Sequence, residues 1–199
     1  MRRKQSEITD PEKIRHILSS ANIGRLATNG ADGHPYITPV NFVYHGGNIY
    51  FHCAPKGEKL DNIARDAKVC FQVDIPLAYL DSGYSQGRDS CRLHQFYHCV
   101  IIRGEARVVP HSQRKVEALN ALVAKHEKDV DVQEVNGDMA AYKACKVVEI
   151  KPKTITAKSD LAQNKSEEER LAIAQYLKAR GWPKDIETVE AFGFDPKTI

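Results

Sequence analysis

The chain has 199 residues, 42% of them hydrophobic and 28% charged, with a formal net charge of +3. That suits one domain with appendages or two small domains, with apolar content for a core that needs no covalent staples. The small charge argues against nucleic acid as the main partner, because such binders carry a strong basic excess on one face.

The basic opening MRRKQSEITDPEK is followed by no apolar run. It is therefore not expected to be a secretory signal, and no stretch has the apolar length that spans a bilayer. Five cysteines without a CxxC pair fit reduced thiols in a cytoplasmic protein better than a disulfide framework.

Thr9 or Asp10 before Pro11-Glu12 predicts a helix start, because a cap oxygen, a first-turn proline and an acid suit the positive end. Ile14, Ile17 and Leu18 give that helix its apolar stripe. Ile23 to Thr28 predicts a strand and Asn29 to Gly33 a turn. Tyr36 to Tyr44, rich in β-branched and aromatic residues, predicts the next strand. Gly46 and Gly47 then allow the positive φ angles of a tight hairpin turn. Ile49 to His52 returns as its second strand and runs out in CAPKGEK before a short helix over Leu60 to Arg65. A lysine, loop amides and a helix N-terminus gathered at a strand end suit a phosphate.

Lys68 to Asp74 alternates, with Val69, Phe71 and Val73 on one face. Residues 76–95 lack a period and carry Ser82, Gly83, Ser85, Gly87 and Asp89, which predicts a long loop of the functional kind. Phe96 to Pro110 predicts a long strand with Gly104 as a bulge. Ser112 to Glu127 predicts a helix capped by Ser112, with Val116, Leu119, Leu122 and Val123 along one face. Cys145 to Ile150 is a further strand, closed by Lys151-Pro152, with Ile155 to Ala157 as a candidate extension. Beyond Ser159 the chain turns polar. Ser166 and Glu169 have capping-box spacing at the head of a helix that stops at Gly181. Phe192 and Phe194 predict a docked tail. Hairpin-linked strands with few helices favour a small antiparallel barrel carrying helices on its outside.

The order GRLATNGADGHPYITPVNFVYHGGNIYFHCAPKGEKLDNIARDAKVCFQVD, then YHCVIIRGEARVV, resembles the flavin-binding split barrels of the pyridoxamine 5′-phosphate oxidase superfamily. The similarity is greatest to the nitroimidazole-resistance branch and covers Ile8 to Ile155. The resemblance implies a mainly β fold with flanking helices, a six-stranded antiparallel split barrel. It implies a barrel domain over residues 1–158 and a helical extension over 159–199 that docks on the barrel or on a partner. It also implies a homodimer with FMN at the interface.

Residue by residue, the resemblance sets the backbone of Ile37, Thr38, Pro39, Val40 and Asn41 along the flavin ring. It sets Phe51 and His52 near the ring and its ribityl-phosphate, and makes Gly57-Glu58-Lys59 the phosphate loop. The family often has serine-arginine-lysine there; only Lys59 keeps the charge, Glu58 departs from it, and Lys56 is the other cation at hand. His98 and Cys99 match a polar pair that reaches FMN from the partner subunit.

His52 is the candidate for chemistry, since an imidazole titrates near neutral pH. The alternative is a histidine held by a backbone hydrogen bond in the core. His94, His98 and Cys91 lack zinc-ligand spacing, so no metal is expected. The expected function is an FMN-dependent oxidoreductase with reduced nicotinamide as donor and a small nitro- or quinone-like acceptor. No Rossmann fingerprint is present, so the nicotinamide would bind transiently. A non-catalytic FMN carrier or sensor is one alternative. A haem-binding or haem-degrading split barrel, with His94 or His98 as ligand, is the other.

Overall fold

The computed structural model describes residues 4–85, 90–127 and 132–199. Its strands are β1 (Glu7–Ile8), β2 (Ile23–Asn29), β3 (Pro35–Asn41), β4 (Val43–His45), β5 (Asn48–Cys53), β6 (Lys68–Leu80), β7 (His94–Val109) and β8 (Lys146–Asp160). Its helices are α1 (Pro11–Ser20), α2 (Glu58–Arg65), α3 (Gln113–His126), α4 (Ala140–Ala144), α5 (Glu167–Arg180) and α6 (Asp185–Ala191). The strands form one sheet in the order β3-β2-β6-β7-β8-β5-β4, with β1 paired to β8. No helix among the described residues is long and apolar enough to cross a membrane.

Contacts divide the chain into two units. One comprises residues 10–73 and 100–156; the other comprises the described parts of 1–9, 74–99 and 157–199.

In the first unit, β3 and β4 stand at opposite ends of the strand order, yet Phe42 alone separates them in the chain. A sheet whose two ends are one residue apart must curl on itself, and this is how the barrel arises. Phe42 is fully buried and meets the Phe71 ring edge-on at 5.0 Å. Gly24 leaves room for that ring: a Cβ at Gly24 would lie 2.0 Å from Phe71 Cζ. The two-residue turn at Gly46 and Gly47 has φ of 54° and 81°, as its glycines predict. Asp10 caps α1 through the Glu12 amide at 2.9 Å. At the other end of α1, the Lys125 ammonium donates to the carbonyls of Leu18 and Ala21 and lies 3.6 Å from the centre of the Phe42 ring. Helix α3 packs Ala118, Leu119 and Leu122 against Val43, Tyr50 and Val147.

In the second unit, Leu77, Ala78 and Phe96 pack with Ile173, Leu177 and Phe192. The Ala78 amide donates to Thr188 Oγ1 at 2.8 Å. Arg180 binds Asp81 at 2.8 Å and the fully buried Asp185 at 2.6 Å. The capping box of Ser166 and Glu169 is present, and Gly181 ends α5 at φ 66°.

Two expectations are corrected. The strands number eight among the described residues, not six, because Phe42 turns inward and splits the predicted strand 36–44 and because β1 adds a short edge. Residues 76–80 are strand rather than loop. The buried pair Leu77 and Ala78 breaks the alternation there, while Gln86 to Asp89, also placed in that loop, lie outside the described residues. Gly104 is a site of close backbone approach, since a Cβ there would lie 2.3 Å from the carbonyl oxygen of Lys151.

Candidate functional site

An open cleft of about 810 Å³ lies within the barrel unit. Its strand side is Asn41 at the end of β3 with His52, Cys53 and Ala54 at the end of β5. Its helical side is Leu119, Leu122, Val123 and His126 of α3. Met139, Tyr142 and Cys145, around α4, complete it.

His52 is exposed and lies opposite Val147 in the β5–β8 register. That exposure departs from the alternative of a core histidine. Phe51, its neighbour, is fully buried in the barrel core, so only its backbone can face a ligand. Cys53 follows, and burial pushes its thiol up while the Lys59 ammonium pulls it down and Cys145 adds to the rise.

The chain leaves β5 through a short loop and enters α2 at Gly57, whose φ is 141°. No side chain caps this helix. The Leu60 and Asp61 amides both donate to the Gly57 carbonyl. The amides of Glu58 and Lys59 have no partner among the described residues, as the first turn of an uncapped helix leaves them. Lys59 is half-buried, and Glu58 and Asp61 put two carboxylates on the same turn.

Strand β3 ends the sheet order, so its outer backbone edge is unpaired among the described residues. Ile37, Pro39 and Asn41 project to the exposed face, with Ile37 62% exposed, while Thr38 and Val40 are half-buried on the other. Ile23, on the same β2–β3 face opposite Asn41, is also exposed.

His98 and Cys99 belong to the second unit. There His98 Nδ1 lies 2.6 Å from Ser159 Oγ, and Cys99 is buried. His94 Nε2 lies 3.1 Å from Asp160 Oδ1. The structure thus brings Asn41 and His52 to one cleft, while Lys59 stands in the first turn of α2 and is not among the cleft's lining residues.

The helical side of the cleft was not foreseen as a site. Leu119, Leu122 and Val123 follow the period of an ordinary core stripe, and His126 has no pattern at all. One signal remained in the structure: His126 Nε2 is buried and has no hydrogen-bond partner among the described residues.

A curated relative from Streptomyces rimosus, named 5a,11a-dehydrotetracycline/5a,11a-dehydrooxytetracycline reductase, is 27% identical over 130 residues, covering 62% of this chain and 82% of the relative. A candidate 5-nitroimidazole antibiotic resistance protein from Bacteroides thetaiotaomicron superposes with a TM-score of 0.64 at 22% identity, covering 77% of this chain and 86% of that one. An FAD and heme binding protein from Mycobacterium smegmatis superposes with a TM-score of 0.67 at 18% identity, covering 89% and 81%. These two likenesses establish a shared fold. The family profile of pyridoxamine 5′-phosphate oxidase matches residues 10–159, three-quarters of the sequence, and the chain belongs to that family.

Proposed function

We propose that the protein is a flavin-dependent reductase that holds FMN with its ring along β3 and its phosphate at the start of α2. Electrons pass from reduced nicotinamide to a small nitro- or quinone-like acceptor. The observation that carries this reading is the entrance to α2. Gly57 at positive φ, the unpartnered amides of Glu58 and Lys59, and the Lys59 ammonium form a donor set suited to a phosphate dianion. Glu58 and Asp61 oppose an anion there, so the amides and Lys59 bear the load, with Lys56 as second cation.

The free edge of β3 offers backbone donors and acceptors for a ring, which needs no side-chain signature. Bound flavin would supply the redox step, taking a hydride from the nicotinamide and passing two electrons to the acceptor, which also takes up protons. His52, exposed in the cleft, supplies one of those protons. The exposed Ile23 and Ile37 form an apolar face suited to a second copy of the chain. In that homodimer His98 and Cys99 approach the flavin from the other copy. Five free cysteines fit a reducing, cytoplasmic setting. The relative's reductase activity and the nitroimidazole link of the structural neighbour point the same way.

Anaerobic addition of reduced nicotinamide should bleach the flavin absorbance, and a quinone should restore it. A flavin that binds but stays oxidised would make the protein a carrier or sensor. A Soret band on haem addition, lost in His98→Ala, would instead support the haem reading.

A further inference from the structure

We propose that the helical side of the cleft, between α3 and residues 139–145, is a pocket for an uncharged, mainly apolar molecule of two or more fused rings bearing a carbonyl-type oxygen. Its assignment as the acceptor's pocket rests on the flavin reading; binding in it does not.

Three observations support the pocket. First, its size: the whole cleft, strand side included, holds about 810 Å³, within the range of sites for drug-sized ligands, roughly 300–1,000 Å³. Second, its walls are fastened. Asn120 bonds Val135 through both its amide atoms, at 2.7 and 3.0 Å. The buried Lys115 ammonium donates to the carbonyls of Tyr142 and Cys145 at 2.6 and 2.8 Å. Residues 135–145 are thereby pinned to α3 at two separate points, so the cleft is built before any ligand arrives and little ordering entropy opposes binding.

Third, its chemistry. Leu119, Leu122, Val123 and Met139 give it an apolar wall. The lysines of α3 that flank this wall, Lys115 and Lys125, spend their ammonium groups on backbone carbonyls, and no lysine is among the described residues lining the cleft. Glu127, at the cleft edge, disfavours anions. Within this wall His126 holds a buried ring nitrogen with no partner, a state that costs free energy. His126 lines the cleft, and an imidazole turned so that this nitrogen faces the cleft and carries the proton becomes a donor for a ligand. A ligand oxygen then accepts the N–H bond that the protein does not provide.

The test uses the full-length protein and two probes, menadione and 2-methylnaphthalene, which share a fused-ring size but differ in carbonyl oxygens. Calorimetric titration should show one menadione site. Ala141→Trp fills the cleft from an exposed position and should weaken both probes at least about tenfold, as should Ala144→Trp. His126→Phe should weaken menadione about fivefold to tenfold, the value of one hydrogen bond, and leave 2-methylnaphthalene unchanged. Undiminished menadione affinity in both tryptophan variants, each still melting cooperatively, would overturn the proposal. So would displacement of menadione by equimolar FMN, which would put the flavin itself in the pocket. FMN titration of the same samples separates the two readings. Menadione bound without any FMN site leaves the pocket standing and removes the flavin; FMN bound without a menadione site does the reverse.

Discussion

The Lys115 ammonium donates to the Tyr142 carbonyl at 2.6 Å and lies 4.2 Å from the centre of the Tyr142 ring. Lys115 is 1% exposed. A lysine buried this deeply persists only because the end of α4 presents carbonyls that lack intrahelical donors. Replacing it by methionine keeps the packing and orphans two carbonyls. Lys115→Met should cost about 2 kcal/mol and lower the melting temperature by about 4–8 °C for a chain of this size. The cleft should loosen at the same time, seen as faster amide exchange over residues 139–145. An unchanged melting temperature would remove Lys115 as the fastening of that wall.

Glu149 gives the fold an acid limit. Its carboxylate is 2% exposed, yet it accepts from Tyr50 Oη at 2.7 Å and Arg107 Nε at 2.6 Å, with Arg114 at 3.3 Å. Burial alone would raise its pKa; the hydrogen bonds and the two guanidinium charges outweigh burial and hold it below the ordinary value of 4.5. A carboxyl with a depressed folded-state pKa stabilises fully above its unfolded value and loses that contribution as pH falls through the folded one. Stability should therefore be flat above about pH 5 with respect to this group and fall below pH 4.5. Glu149→Gln should be less stable at pH 7 and show a shallower acid slope in melts from pH 7 to pH 3. Parallel acid slopes in the two proteins would contradict the assignment.

Gly24 is fixed by a ring rather than by its own backbone. Its missing Cβ makes room for Phe71, which in turn meets Phe42 at the joint between β3 and β4. Gly24→Ala should cost about 1–3 kcal/mol through overpacking. In a Phe71→Leu background the same change should cost much less. Equal costs in both backgrounds, measured by urea unfolding, would show that the ring is not what excludes a side chain there.

At the phosphate end, Lys59→Ala should weaken FMN far more than riboflavin, which shares the ring and lacks the phosphate. One lost charge-assisted bond corresponds to about 1.5–3 kcal/mol, or roughly tenfold to a hundredfold in affinity. Equal losses for the two ligands, read from flavin fluorescence quenching, would detach Lys59 from the phosphate.

Much of the barrel was legible from local chemistry. Alternation in residues 68–74, the glycine pair of the hairpin and the Ser166–Glu169 box each act over a few residues, so sequence carries them directly. The prolines misled. Residue 76 was expected to open a loop and Pro152 to close a strand, yet β6 and β8 run through both. The β2–β6 register covers Cys70 to Gln72, so Pro76 falls where the strand has no ladder bond to β2 to lose. Nothing local in the sequence marks Lys115 and Lys125 as held lysines, because the carbonyls that hold them are distant in sequence. The cleft wall was hidden for a related reason: Leu119 and Leu122 serve the core and the cleft with one and the same stripe. His52 was visible because the resemblance sets it at the strand end near the flavin, whereas nothing local distinguishes His126.

The most direct test of the account is the absorbance spectrum of the full-length protein as purified and after reconstitution with FMN. The account predicts a two-band flavin spectrum that stays with the protein through gel filtration and is lost in Lys59→Ala. A colourless protein that releases all added FMN on the same column would contradict it.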